Sequence, residues 1–208
     1  MNPSEIAPTK TNLFDFKGQL IFSVDGHTLL EEKREVLVLH LMDVISKMKN
    51  ERKILNKLLE ESYTLLDVVK VGIGEFELQK IVNGSKSISE LNIHEKGVMG
   101  VNIPAIKYKE DVKIWPVNSF NNTNMDYDRL LYNIREILKQ IVFVAQVEAS
   151  AWRLAHEIKK TQRKVNALEN VFIPDFKEII KFIQDTLEER ERETFFQMKR
   201  VKNAQESS

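Results

Sequence analysis

The feature that most limits what this chain can fold into is a seven-residue apolar beat that runs along both of its ends. Stepping by seven from Leu20 reaches His27, Arg34, Leu41, Met48, Leu55, Ser62 and Val69, and from Ser23 it reaches Leu30, Leu37, Val44, Glu51, Leu58 and Leu65. Two such columns side by side on one helix face form the seam of a coiled coil. Thr11 or Asn12 caps the start of this helix, which runs to about Gly72 without a proline and spans about 90 Å.

A second long helix follows the polar stretch "NSFNNTNMDYD", whose side chains suit a loop and a helix cap. Its columns read Leu130, Ile137, Val144, Ala151, Ile158, Val165, Phe172, Ile179 and Ile134, Ile141, Glu148, Ala155, Gln162, Glu169, Phe176, Ile183. The pattern fades near Glu188 and ends in a polar tail, after more than roughly 100 Å of helix. Pro174 lies inside it, yet the first column passes the proline in phase, which predicts a bent helix and not two. An interior proline costs about 3 kcal/mol. Burying Phe172, Phe176 and Ile179, at roughly 1.5–3 kcal/mol each, offsets that.

Between the helices the character changes. "VMGVNIPAIKYKEDVKIWPV" alternates in part, and predicts a β-hairpin with strands at 98–108 and 112–117 around a turn at Lys109-Glu110-Asp111. Pro104 and Pro116 restrict these to edge or irregular strands, and "NGSKS" (83–87) reads as a loop. The chain therefore divides into an N-terminal coiled-coil helix (1–72), a middle module with a short hairpin (73–125), and a C-terminal coiled-coil helix with a frayed tail (126–208), together one elongated domain.

Folding back as a long antiparallel two-helix coiled coil buries both stripes within one chain, and a parallel dimer is the rival. The expected fold class is mainly α, with the small β-hairpin module between the two helices. With the hairpin as the bend, facing residues have numbers summing to about 200, which sets Arg52 opposite Glu148, Arg34 near Glu169, and Gly26 with His27 opposite the Pro174 bend. On this register Gly26→Leu should disrupt the helix pair more than Gly18→Leu.

Composition agrees with long solvated helices: 30% of the 208 residues are charged, with 7 glycines and 5 prolines. Thirty-one basic residues balance 31 acidic ones, so no overall field draws nucleic acid or an anionic membrane. There are no cysteines, which removes disulfide and thiolate chemistry and suits a reducing compartment. The N-terminus lacks the build of a signal peptide, and the most apolar runs, 36–45 and 141–147, are about half the roughly 20 residues a membrane span needs. A soluble chain is expected, with no direct membrane insertion.

Catalytic motifs fail on inspection. "HEIKK" begins like a zinc-protease helix, but the position for the second ligand, four residues after His156, is Lys160. "VGIGEF" has Glu77 where a nucleotide-binding loop needs a third glycine. The four histidines are scattered, and most carboxylates sit three or four residues from a Lys or Arg, the pattern of a solvated helix face. No catalytic, cofactor-binding or metal-binding residue is assigned, and no cofactor is expected. Trp152, beside the seam, reads as a core anchor. Trp115, on an insert with little core of its own, is either packed against the helices or a contact residue.

Two stretches resemble a known family. "APTKTNLFDFKGQL" with "GHTLLEEKREVL" looks like the opening of the D subunit of the V-type and A-type ATPases, matching at Pro8, Thr9, Lys10, Lys17, Gly26, His27, Leu29, Leu30, Lys33, Arg34 and Glu35. "EASAWRLAHEIKKTQRKVNALENVFIP" with "LEERERETFFQMKRVKN" is similar to that family's most distinctive stretch, including Thr161, Arg163, Asn166, Glu169, Pro174, Arg190, Arg192, Phe195 and Lys199. The resemblance implies a noncatalytic rotor axle at the centre of a rotary ATPase or ATP synthase, peripheral to the membrane on the cytoplasmic side. Its implied partners are the catalytic A and noncatalytic B subunits of the ring, the F subunit of the stalk, and the C/d-type socket subunit that joins the membrane rotor. Pro8, Thr9, Lys10, Lys17, Arg190, Arg192, Phe195 and Lys199 would then meet the catalytic ring, and Trp115 and Tyr108 the lower stalk. A prefoldin-like chaperone or a structural coiled-coil tether is the alternative.

Overall fold

The computed structural model describes residues 6–84, 89–110 and 124–206. Its elements in order are α1 (Lys10–Ile73), α2 (Glu75–Gly84), β1 (Ser89–Val98), β2 (Val101–Glu110), α3 (Met125–Ala167), a π-helical turn (Leu168–Phe172) and α4 (Ile173–Glu206). The protein is thus dominated by a long N-terminal and a long C-terminal helical stretch with a small antiparallel sheet between them in sequence. It divides into two compact units, the first made of 1–36 with 158–208 and the second of 37–157.

Both columns of α1 face inward along their whole length, from Leu20 and Ser23 to Leu65 and Val69, each residue buried or half-buried. Its N-terminus is capped slightly earlier than the sequence suggests, at Thr9 and not at Thr11 or Asn12: Thr9 Oγ1 accepts from the Asn12 amide at 3.2 Å, and Asn12 Nδ2 reaches the Ala7 carbonyl at 2.7 Å. Its C-terminus stops where Gly74, at φ 86°, donates its amide to the Lys70 carbonyl at 3.0 Å. A left-handed residue after the last turn is the usual helix stop, and glycine takes it without strain.

In the first unit α1 runs antiparallel to the C-terminal helix: Lys10 Nζ lies 2.9 Å from Glu191 Oε1, Phe16 packs on Phe176, and Arg34 Nη1 donates to Gln162 Oε1 at 2.9 Å. Val165, Ile179 and Ile183 fill the seam. The helix accommodates its proline through the π-turn immediately before it. The Ile173 amide bonds back to the Leu168 carbonyl, five residues away, and α4 begins again at Ile173. Pro174 follows directly, so its missing N–H falls where the π-turn has already broken the regular i→i−4 ladder. Asn170 Nδ2 donates to the Asn166 carbonyl at 3.0 Å, meeting an acceptor that the widened turn would otherwise strand.

The π-turn also explains why the second heptad column of the C-terminal helix is out of phase. One extra residue is wound into the helix, so Phe176 and Ile183 lie in the seam while their back-extrapolated column drifts to its edge, where Glu148 and Gln162 stay half-buried. Ile134, Ile141, Ala155 and Glu169 are exposed, and the inward places are taken by Gln140, Val147, Leu154, Thr161 and Leu168. Phe172, expected in the seam, is 48% exposed and touches Phe176 from outside, with ring centroids 6.3 Å apart.

In the second unit the same antiparallel pairing holds between α1 and α3: Gln140 Nε2 donates to Glu51 Oε2 at 2.6 Å, and Arg52 Nε stands 3.8 Å from Glu148 Oε1. Asn124 caps α3 by accepting the Tyr127 amide on its side chain at 3.0 Å. Near this end α2, which no sequence signal announced, lays Leu78 and Ile81 against Val69, Tyr127 and Leu130 to close a small core. Glu75 and Glu77 in its first turn favour the helix dipole.

The hairpin also belongs to the second unit and lies earlier than the alternation suggested. Its turn is Met99-Gly100, both at positive φ, and β1 pairs with β2 from Val98↔Val101 to Ser89↔Glu110. Two positive-φ residues make the tight turn whose twist matches a hairpin. Lys109 and Glu110 are the end of β2, not a turn; Asp111, Trp115, Pro116 and the expected strand at 112–117 lie outside the described residues. Pro104 occupies a position whose missing N–H faces away from β1, since the Ile106 amide two residues on already points outward to Gln146.

Candidate functional site: the helix seam and the terminal helices

The residues singled out from sequence fall into three sets. Leu20, Gly26, His27, Arg34, Leu41, Met48 and Leu55 on α1, with Val144, Glu148, Ile158, Val165 and Phe176 on the C-terminal helix, are buried or half-buried; Arg52, Glu169, Phe172 and Pro174 are exposed. The polar members of the seam carry its specificity. Glu51 is held by Gln140, which donates to both its carboxylate and its carbonyl, and Arg34 is held by Gln162 and lies 3.9 Å from Glu31. Arg34 does not pair with Glu169. His27 Nδ1 lies 3.6 Å from Glu31 Oε2, while its buried Nε2 has no hydrogen-bond partner.

Gly26 has no steric role at the bend. A Cβ built there meets nothing within 4 Å, and the same is true at Gly18. The contacts Phe16–Phe176 and Arg34–Gln162 bracket the facing turns and place Pro174 nearer Leu20 than Gly26.

The second set brings both chain ends of the first unit together. Beside the Lys10–Glu191 ion pair, Arg190 Nη1 donates to the Pro8 carbonyl at 3.4 Å. Beyond this pair α4 continues with every described side chain exposed, among them Arg192, Phe195, Phe196 and Lys199. Phe195 and Phe196 stand edge to face at 6.5 Å, and with Glu188, Glu191 and Arg192 they line a shallow depression. Thr9, which caps α1, and Lys17 within it are also exposed.

The third set is Tyr108 and Trp115. Tyr108 is half-buried on β2 across from Leu91, and Trp115 lies outside the described residues. Trp152 on α3 is 79% accessible, which corrects its assignment as a core anchor. It occupies the position next to Ala151 and so points away from the seam.

Chemistry is sparse. Among the described residues no group of three or more His, Cys, Asp or Glu side chains is arranged to hold a metal, and no helix is long and apolar enough to cross a membrane. Asp43 has its carboxyl held below the ordinary range by a hydrogen bond from Lys47 and by that residue's charge, a solvated pair one helical turn apart.

A family model for the ATP synthase D subunit matches residues 12–203. The chain belongs to the ATP synthase D-subunit family. The V-type ATP synthase D subunit of Thermotoga neapolitana is 38% identical over 197 residues, covering 95% of this chain and 97% of the relative. The A-type ATP synthase D subunits of Pyrococcus abyssi and Pyrococcus furiosus are 36% and 34% identical, each over 95% of this chain and 94% of their own length. The family match thus runs from the first turn of α1 to the last turns of α4, including the π-turn and the hairpin.

Proposed function

We propose that this chain is the central-stalk rotor subunit of a V-type or A-type ATP synthase, a noncatalytic axle that carries rotation between the nucleotide-processing ring and the ion-translocating membrane rotor. The observation that carries this reading is the family match along nearly the whole chain. Its physical support is α1, which runs for 64 residues without a break while its seam columns stay turned inward. Twisting such a helix against its partner must disturb interlocked side chains, which is what makes a packed helix pair stiff.

On this reading residues 1–72 and 126–208 supply the shaft and 73–125 a lateral module. The ends, around 8–20 and 188–203, make the contact with the ring of A and B subunits. The exposed Phe195, Arg192 and Lys199, with Lys10 and Lys17, present mixed apolar and cationic chemistry for it. Tyr108 and Trp115 belong to the lower contacts, toward the F subunit of the stalk and the socket subunit, and the assembled complex is peripheral to the membrane on its cytoplasmic side. An uneven shaft turning inside the ring favours a different conformation of each catalytic site in turn, a bias that needs no ligand site on the shaft.

The test is reconstitution of the complex in sealed vesicles with the full chain or with 188–208 removed. The truncation should lower ion transport per ATP hydrolysed. Unchanged coupled transport sinks the assignment of the upper contact.

A further inference from the structure

The hairpin is carried by α3 in an unusual way for so small a module. Every residue of β1 from Glu90 to Gly97 is exposed, and among the described side chains of β2 only Val101 and Pro104 are buried. Beside these buried residues, a set of polar contacts joins the hairpin to α3. Arg153 Nη1 donates to the Asn102 carbonyl at 2.7 Å and to Glu95 Oε1 at 3.0 Å, Asn102 Nδ2 closes the triangle on Glu95 Oε2 at 3.2 Å, and the Ile106 amide donates to Gln146 Oε1 at 2.9 Å. Arg153 and Gln146 lie two helical turns apart on one face of α3, so the helix grips the hairpin near its turn and again midway along β2.

We propose that Arg153 is a positioning residue, the latch of a hairpin that docks on α3 as a separate body and can release from it with its own ladder intact. The two halves of this claim rest on different bonds. The β1–β2 ladder uses the amides of Ile103, Ala105 and Lys107, which alternate with Ile106 and point toward β1. Ile106 points the other way and donates to Gln146. The latch is partly solvated, with Arg153 and Glu95 side chains 44% and 57% accessible. Ion pairs this exposed hold weakly and are screened by salt. Because the ladder and the latch use different bonds, local opening at the latch need not break the ladder. The proposal stands whether or not the chain is a rotor; in an assembly it gives partners two hairpin positions to choose between.

Amide exchange of the full-length chain, read residue by residue by NMR, separates docking from folding. Arg153→Met should speed exchange at Ile106 by about tenfold while Ile103, Ala105 and Lys107 change by less than about twofold. Arg153→Lys, which keeps a multiple donor, should restore most of the Ile106 protection. Added salt should speed Ile106 in the unmodified chain and much less in Arg153→Met. An Ile106 amide indifferent to Arg153→Met overturns the latch. Ladder amides that accelerate together with Ile106 overturn the separate body.

Discussion

Phe16 on α1 and Phe176 on α4 face each other with ring centroids 6.1 Å apart and planes inclined by 47°, joining residues far apart in sequence two positions beyond the proline. Phe176 reaches that contact only because the π-turn has wound one additional residue into the helix. Proline and π-turn therefore act as a pair: the turn keeps Phe176 and Ile183 in the seam, and the proline fits the restart of α4 that the turn creates.

This pairing predicts a reversal between two changes. Deleting Val171, an exposed residue of the π-turn, restores ordinary α winding and keeps Phe176 and Ile183 in phase, but leaves Pro174 in a helix interior at a cost of about 3 kcal/mol. Pro174→Ala in the deletion background should recover most of that loss. In the unmodified chain the same substitution should shift stability by less than about 1 kcal/mol. Urea denaturation of the four proteins measures the cycle.

The seam phase of α3 gives a second contrast. Leu154 is fully buried whereas Ile141 is 42% exposed. Leu154→Ala should cost about 2–5 kcal/mol and Ile141→Ala under about 1 kcal/mol. Chemical denaturation followed by circular dichroism distinguishes them, and equal losses would restore the strict heptad column.

Among the polar contacts of the second unit, the shorter and less exposed one should dominate. Removing Gln140 with alanine leaves Glu51 half-buried without its 2.6 Å donor, at about 1–2 kcal/mol. A double-mutant cycle on Arg52 and Glu148, 3.8 Å apart with Arg52 largely solvated, should return a coupling under about 1 kcal/mol.

Gly18 and Gly26 should behave alike. Each lies within α1 with open space where a Cβ would be, so Gly18→Ala and Gly26→Ala should each stabilise by about 0.5–1 kcal/mol through helix propensity. A loss at Gly26 alone, in thermal melts, would show a steric requirement at that site.

What the sequence made legible follows from how regular each element is. Both columns of α1 were readable because nothing interrupts its winding from Lys10 to Ile73. The first column of the C-terminal helix was correct from Leu130 to Val165 and then slips by one residue at the π-turn, so that Phe172 is exposed while Ile173 and Ile180 turn inward; the other was extrapolated backward from Phe176 and Ile183 across the same insertion, which leaves no mark in sequence except the nearby proline. The hairpin was displaced because β1 is exposed from Glu90 to Gly97 and so carries little alternation, and because Met99-Gly100 lacks the Asn or Asp that usually announces such a turn. Short α2 was missed beside the stronger glycine signals at Gly72 and Gly74. Trp152 misled by its type: an indole adjoining the seam is read as core until the phase shows that it faces water.

The central claim is that this chain turns. With no native cysteine, Met99→Cys at the exposed hairpin turn offers a single attachment point for a bead on the complete complex, held to a surface by its catalytic ring. The account predicts that the bead rotates continuously in one direction when ATP is supplied and stops when it is withdrawn; a bead that stays still while the same complexes hydrolyse ATP would contradict it.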